Sequence, residues 1–133
     1  MNEFPQIESL IAERDIKKAD VIIARLIKSN PPQKDLSMLY MYRARTRLFA
    51  GRPDDAINDL NLVQTLNPDY VSHSEQFLEV WGDAHFSRFE LASVGFSDRG
   101  DTLRALEAYT KIVDNFPAYP NLGWIYYQQG RIL

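Results

Sequence analysis

The stretch Leu39 to Pro68, LYMYRARTRLFAGRPDDAINDLNLVQTLNP, decides how this chain folds. It sets Gly51, Ala56, Leu60, Val63 and Pro68 at successive steps of five, four, three and five residues. The same steps recur downstream in GDTLRALEAYTKIVDNFP, through Gly100, Ala105, Tyr109, Ile112 and Pro117. Upstream, IKKADVIIARLIKSNP carries Ala19, Ile23, Leu26 and Pro31, with Arg14 at the glycine's place. A segment that returns at fixed spacing marks one supersecondary unit used several times.

The unit reads as a helix hairpin. Steps of four and three put the large apolar groups on one helical stripe, and alanine at its head lets a second helix approach closely. Glycine ends the preceding helix with a left-handed residue, and proline closes the following one. Pro53 with Asp54 and Asp55 suits a helix start, because the missing N–H costs nothing there and acids favour the positive end of the dipole. Asp101 after Gly100 reads as an N-cap, and Ser72 with Glu75 as a capping box ahead of FLEVW. The expected helices run over about 3–13, 16–29, 36–50, 54–66, 72–95, 102–115 and 120–131. No stretch alternates like a strand between hairpin turns. The expected fold class is all-α, an antiparallel helix-hairpin repeat array of about three repeats plus a terminal helix, forming one domain over residues 1–133.

Composition bounds the function. At 133 residues and 15.4 kDa the chain suits one domain and has no cysteine, which removes disulfides, cysteine zinc sites and thiol catalysis. Apolar residues make up 45% and charged residues 25%, ordinary for a globular protein and wrong for disorder. The acidic start MNEFPQIESLIAERD lacks the basic region of a secretory signal. Apolar runs such as Val21 to Ala24 and Met38 to Tyr42 fall far short of the ~20 residues a membrane helix needs. These features lead to an expectation of a cytoplasmic protein with no membrane and no nucleic-acid partner, since net charge is −3 and the pI near 5.3. Residues 1–52 hold ten basic and six acidic groups, and residues 53–133 hold five and twelve.

Leu39 to Pro68 resembles a tetratricopeptide repeat, the family whose unit of about 34 residues is a helix–turn–helix. Numbered from Ser37, the family's bulky fourth, small eighth, glycine fifteenth, alanine twentieth and proline thirty-second positions are Tyr40, Ala44, Gly51, Ala56 and Pro68. Arg43 and Arg47 depart from its usual leucine and tyrosine. NLGWIYYQQG resembles a repeat's opening helix through Leu122, Gly123, Tyr126 and Gly130. Ala105 follows Pro68 by 37 positions, longer than a regular unit supplies. Trp81-Gly82 and Ala92-Ser93, the latter with Phe96 and Gly100, compete as the third opening helix, and one elongated helix satisfies both.

The resemblance implies a right-handed superhelix whose opening helices line a concave, partner-binding groove, here through Met38, Met41, Tyr42, Arg45 and Phe49. Methionine, aromatics and one arginine would suit an apolar or acidic peptide. The bland alternative is that Met41, Tyr42 and Phe49 are core. Some family members grip a chaperone's terminal carboxylate with a lysine–asparagine clamp; the matching positions are Met38, Met41 and Tyr42, so that role is not implied. On a helix Arg43 and Arg47 are neighbours, while Arg45 points ~160° away from each of them. The pair is expected to meet Asp55 or Asp59 on the adjacent helix.

His73 and His85 are twelve residues apart, about 18 Å along a helix, too far for one metal ion. Asp83 lies close to His85, but a general base there needs a nucleophile or cleft that nothing indicates. No GxGxxG, GxxxxGK, HExxH or GxSxG occurs. Trp81, Phe86, Phe89 and Phe96 read as core aromatics. Trp124, Ile125, Tyr126 and Tyr127 come with no following helix to cover them, which forfeits roughly 1.5–3 kcal/mol each. Either the chain is part of a longer protein, or that surface meets another copy or a partner. The expected function is a non-catalytic protein–protein interaction module without cofactor. The alternatives are a regulatory or sensor domain of a larger protein, or a homo-oligomer formed through the C-terminal helix.

Overall fold

The computed structural model describes residues 1–91 and 99–133, and every regular element among them is an α-helix. The packing divides the chain into two compact units, Met1–Ser72 and His73–Leu133.

Unit 1 contains α1 (Phe4–Ala12), α2 (Ile16–Lys28), α3 (Gln33–Phe49), α4 (Pro53–Leu66) and a short α5 (Pro68–Ser72). Two of its turns are built alike from different residues. After α3, Gly51 takes φ +75°, and the N–H of Arg52 bonds the Arg47 carbonyl at 2.9 Å. After α1, Arg14 takes φ 62°, and the N–H of Asp15 bonds the Leu10 carbonyl at 2.8 Å. Arg14 thus adopts the conformation for which its counterpart is glycine, at a cost of roughly 1–2 kcal/mol. Its guanidinium bonds the Ile11 carbonyl at 3.0 Å. Pro68 opens α5 rather than only closing α4.

Side-chain ties give the helix directions. Gln33 reaches the Leu66 carbonyl, Arg43 reaches Asp59 and Arg47 reaches the Asp55 carbonyl, so α3 and α4 run antiparallel. Phe4 meets Tyr42, Glu8 meets Arg45 and Arg14 meets Phe49, so α1 runs parallel to α3.

Unit 2 contains α6 (Glu75–Leu91), α7 (Arg99–Asn115) and α8 (Leu122–Ile132). The elongated helix expected over 72–95 begins only at Glu75, because Ser74 is the cap: its hydroxyl accepts the Phe77 N–H at 3.1 Å. Ser72 lies at the end of α5 instead. Ala92, Ser93 and Phe96 of the second register lie outside the described residues. Asp83 meets Tyr109 and His85 meets Asp101, so α6 and α7 are antiparallel. Asn121 reaches Glu79, Trp124 reaches Asp83 and Arg131 reaches Glu90, so α8 runs parallel to α6.

The alanine and both large positions of all three recurrences are buried: Ala19, Ile23 and Leu26; Ala56, Leu60 and Val63; Ala105, Tyr109 and Ile112. Gly82 shows why small residues matter, since a Cβ there would stand 2.7 Å from Cε1 of Tyr109. The backbone of α6 lies against that ring.

A buried acid ties each major hairpin. Asp59, 1% exposed, accepts three bonds from Arg43, the shortest 2.7 Å, and one from Arg47 at 2.9 Å. Asp101, also 1% exposed, meets Nδ1 of His85 and Nη2 of Arg88, both at 2.7 Å. It sits inside α7 and ties the hairpin rather than capping the helix as expected. Burial alone would raise the Asp101 carboxyl, but the bonds from Arg88 and His85 outweigh it and hold it below its ordinary range. Burial lowers His85, although Asp101 opposes this. Its Nε2 is buried with no hydrogen-bond partner among the described residues, and Trp81 stands edge-on to the ring at 4.3 Å.

The contrast between +4 and −7 seen at residue 52 cuts through the α3–α4 hairpin, where those charges pair. Divided at Ser72, unit 1 holds ten basic and ten acidic residues, and unit 2 holds five and eight.

Gly82→Ala should destabilise unit 2 by about 1–3 kcal/mol through overpacking, whereas Gly123→Ala should be neutral or stabilising by up to ~1 kcal/mol, because nothing lies within 4 Å of its Cβ direction. Urea unfolding of the two variants checks this. His85 binds its proton more weakly folded than unfolded, so stability falls as pH drops below ~6.5, at no more than about 1.4 kcal/mol per pH unit. The Asp101 contribution is lost only below about pH 4. Asp83, raised by burial, has the opposite sign and gains stability as pH falls. The difference between wild type and His85→Gln isolates the histidine, and equal urea midpoints from pH 7.5 to 5 in both would contradict it.

Candidate functional site

Two surfaces are built from the residues that the sequence singles out. The first is the α1–α3 side of unit 1. A rotation of about 100° per residue sends Arg45 away from Arg43 and Arg47. Arg43 and Arg47 take Asp59 on α4 as expected, and Arg45 goes to Glu8 on α1 at 3.1 Å. Met41 and Tyr42 are buried, and Met38 is partly so. Tyr42 meets the Phe4 ring edge-on at 5.3 Å. Burial, then the charge of Glu8 and a hydrogen bond to it, push the Tyr42 hydroxyl well above its ordinary range. Met41 and Tyr42 are thus buried, as the bland alternative has it, and Tyr42 belongs to the core that α1, α2 and α3 share. Phe49 remains exposed with the Arg14 guanidinium 4.1 Å from its ring centre, and Arg45 is partly exposed. Of the five groove residues, Phe49 is exposed on α3, and Met38 and Arg45 are half-buried.

The second surface is α8. Ile125 is fully buried, and Gln128 is nearly so. Both face the core that also holds Phe86, Tyr109 and Ile112. Trp124 is partly exposed, and its indole N–H donates to Asp83 at 3.1 Å. Tyr126 and Tyr127 are 55% and 59% exposed. The four residues expected to form one uncovered set thus divide: Ile125 is core, Trp124 a bridge, and the two tyrosines an outer face. The Trp124 and Tyr127 rings lie 5.7 Å apart.

Asp83 organises this end of the molecule. It accepts the Tyr109 hydroxyl and the Trp124 indole N–H, and burial raises its carboxyl even though both bonds lower it. The Tyr109 hydroxyl, buried beside that acid, is pushed far up and also accepts from Gln128 at 3.4 Å. Asp83 therefore partners Tyr109 and Trp124, while its sequence neighbour His85 turns to Asp101. Held in this way, these polar groups tie α6 to α7 and α8.

Among the described residues, no three histidine, aspartate or glutamate side chains gather as a metal site, and no helix is long and apolar enough to cross a membrane. Sequence reasoning missed Glu8, Arg88 and Gln128. Arg88 three residues after His85 was the available signal, because that spacing sets both on one helical face toward an acid. Nothing in the sequence marked Glu8 or Gln128. No protein-family model, no curated protein and no solved structure matches the chain.

Proposed function

We propose that this protein is a non-catalytic protein–protein interaction module of tetratricopeptide-like construction. Several features support the construction. The hairpins α3–α4 and α6–α7 are antiparallel, and the alternate helices run parallel, α1 with α3 and α6 with α8. The small-then-large stripe is buried in all three recurrences. Three repeats in a right-handed superhelix are the arrangement this reading extends to.

The observation that carries the binding role is the outer face of α8. Two adjacent tyrosines and a tryptophan stay exposed there beside a closed core. Exposed aromatics rimmed by polar groups are the composition of protein contact surfaces. Phe49, Arg14 and Arg45 form a second, smaller surface on unit 1. The original groove narrows to that patch, and the partner is a protein or peptide segment.

Affinity capture of a partner should be weakened about tenfold or more by Arg45→Glu with Phe49→Ala, or by Tyr126→Ala with Tyr127→Ala. Undiminished capture by both double variants, with native circular dichroism, would contradict the reading.

A further inference from the structure

We propose that His85 makes the α6–α7 hairpin an acid-sensitive latch, whose protonation opens unit 2 while unit 1 stays closed.

The chain holds two versions of one device. In each major hairpin a buried aspartate on the second helix takes two nitrogen-bearing side chains from the first. The earlier of them stands sixteen residues before the acid, Arg43 with Asp59 and His85 with Asp101. The later one is an arginine in both, Arg47 and Arg88. The versions differ in one group. Arginine keeps its charge at any ordinary pH, whereas histidine gains one between about pH 8 and 5. His73 and His85, the chain's two histidines, both belong to unit 2, so the latch of unit 1 is built without one.

Burial decides what the added charge does. The Arg43 and Arg47 side chains keep 29% and 25% of their surface in water, so the surplus charge that two arginines bring to one acid is solvated. The His85 side chain keeps 3%. Asp101 is ionised and can only accept, so Nδ1 of His85 carries the hydrogen between them. Nε2 is then bare, buried without a hydrogen-bond partner beside the edge-on Trp81 ring. A further proton can enter only there, where it makes a charged donor with no acceptor, far costlier than a bare lone pair. Among the described residues the charged groups acting on the ring are Asp101 and Arg104 from α7 and Arg88 from α6. Arg88 already engages Asp101, and both arginines oppose another positive charge. Asp83 on α6 is taken by Tyr109 and Trp124, and Arg131 on α8 by Glu90.

Parting α6 from α7 lets water reach Nε2 and relieves the charge. The same contact seats α8, through Asp83 and Tyr109. Acid would thus dismantle the α8 surface and leave Phe49, Arg14 and Arg45 in place. That consequence rests on the interaction-module reading; the latch does not.

Amide hydrogen exchange of the full 133-residue chain, followed by NMR from pH 7.5 to 5 and corrected for intrinsic rates, tests the latch. Over that range, protection of the buried α6 and α7 amides should fall about tenfold or more further in wild type and in His73→Gln than in His85→Gln. Protection in α3 and α4 should stay within about twofold in all three. The ring nitrogens of wild-type His85 should show Nδ1 protonated and Nε2 bare at pH 7.5, a readout that survives if His85→Gln fails to fold. Four results overturn the latch: constant protection in unit 2, an equal fall in both units, an undiminished fall in His85→Gln, or the opposite tautomer. No partner enters the measurement, so a failure here leaves the module reading standing, and loss of the module reading leaves the latch.

Discussion

The close approach of α6 to Tyr109 at Gly82 is the contact on which unit 2 depends. A helix backbone can lie against an aromatic ring only where no Cβ intervenes, and here the gap is one hydrogen atom wide. That approach brings the Tyr109 hydroxyl to Asp83. Asp83 then accepts the Trp124 indole N–H, and Gln128 bonds the Tyr109 hydroxyl, so successive turns of α8 are registered on the Asp83–Tyr109 pair. The orientation that buries Ile125 and exposes Tyr126 and Tyr127 follows from this. The face that Tyr126 and Tyr127 present is thus a consequence of a missing side chain on another helix.

Polar ties add specificity to the apolar stripe. Arg43 and Arg47 converge on Asp59, and His85 and Arg88 converge on Asp101. A buried carboxylate is costly unless it is fully engaged, so each acid allows one pairing of its two helices and penalises slippage. These ties also remove the apparent polarity of the chain. The basic groups of α3 and the acids of α4 neutralise one another within one hairpin, leaving unit 1 balanced and unit 2 mildly acidic.

The recurring spacing made the helical hairpins legible, because Ala56, Leu60 and Val63 and their counterparts must share a face whatever surrounds them. The opposite directions of Arg45 and Arg43 were legible for the same reason. Less could be read where a residue's role depends on a neighbour's placement. Met41 and Tyr42 were expected to line a groove; both are buried, and for Tyr42 the packing of Phe4 of α1 makes it core. Asp101 has the context of a cap, yet His85 and Arg88 stand across the hairpin and claim it. Ser74 rather than Ser72 begins α6 because the short α5 uses up the preceding residues, and a five-residue helix leaves almost no periodic trace. In α8 the sequence showed four apolar residues in a row; only the position of α6 and α7 divides them into Ile125 inside and the tyrosines outside.

A double-mutant cycle between Gly82 and Tyr109 tests this account most directly. The account predicts that Gly82→Ala loses its cost in the Tyr109→Leu background, where a shorter side chain leaves room for the methyl group, giving a coupling of at least about 1 kcal/mol. Additive costs to within ~0.5 kcal/mol would contradict it, because two residues in that contact cannot be independent.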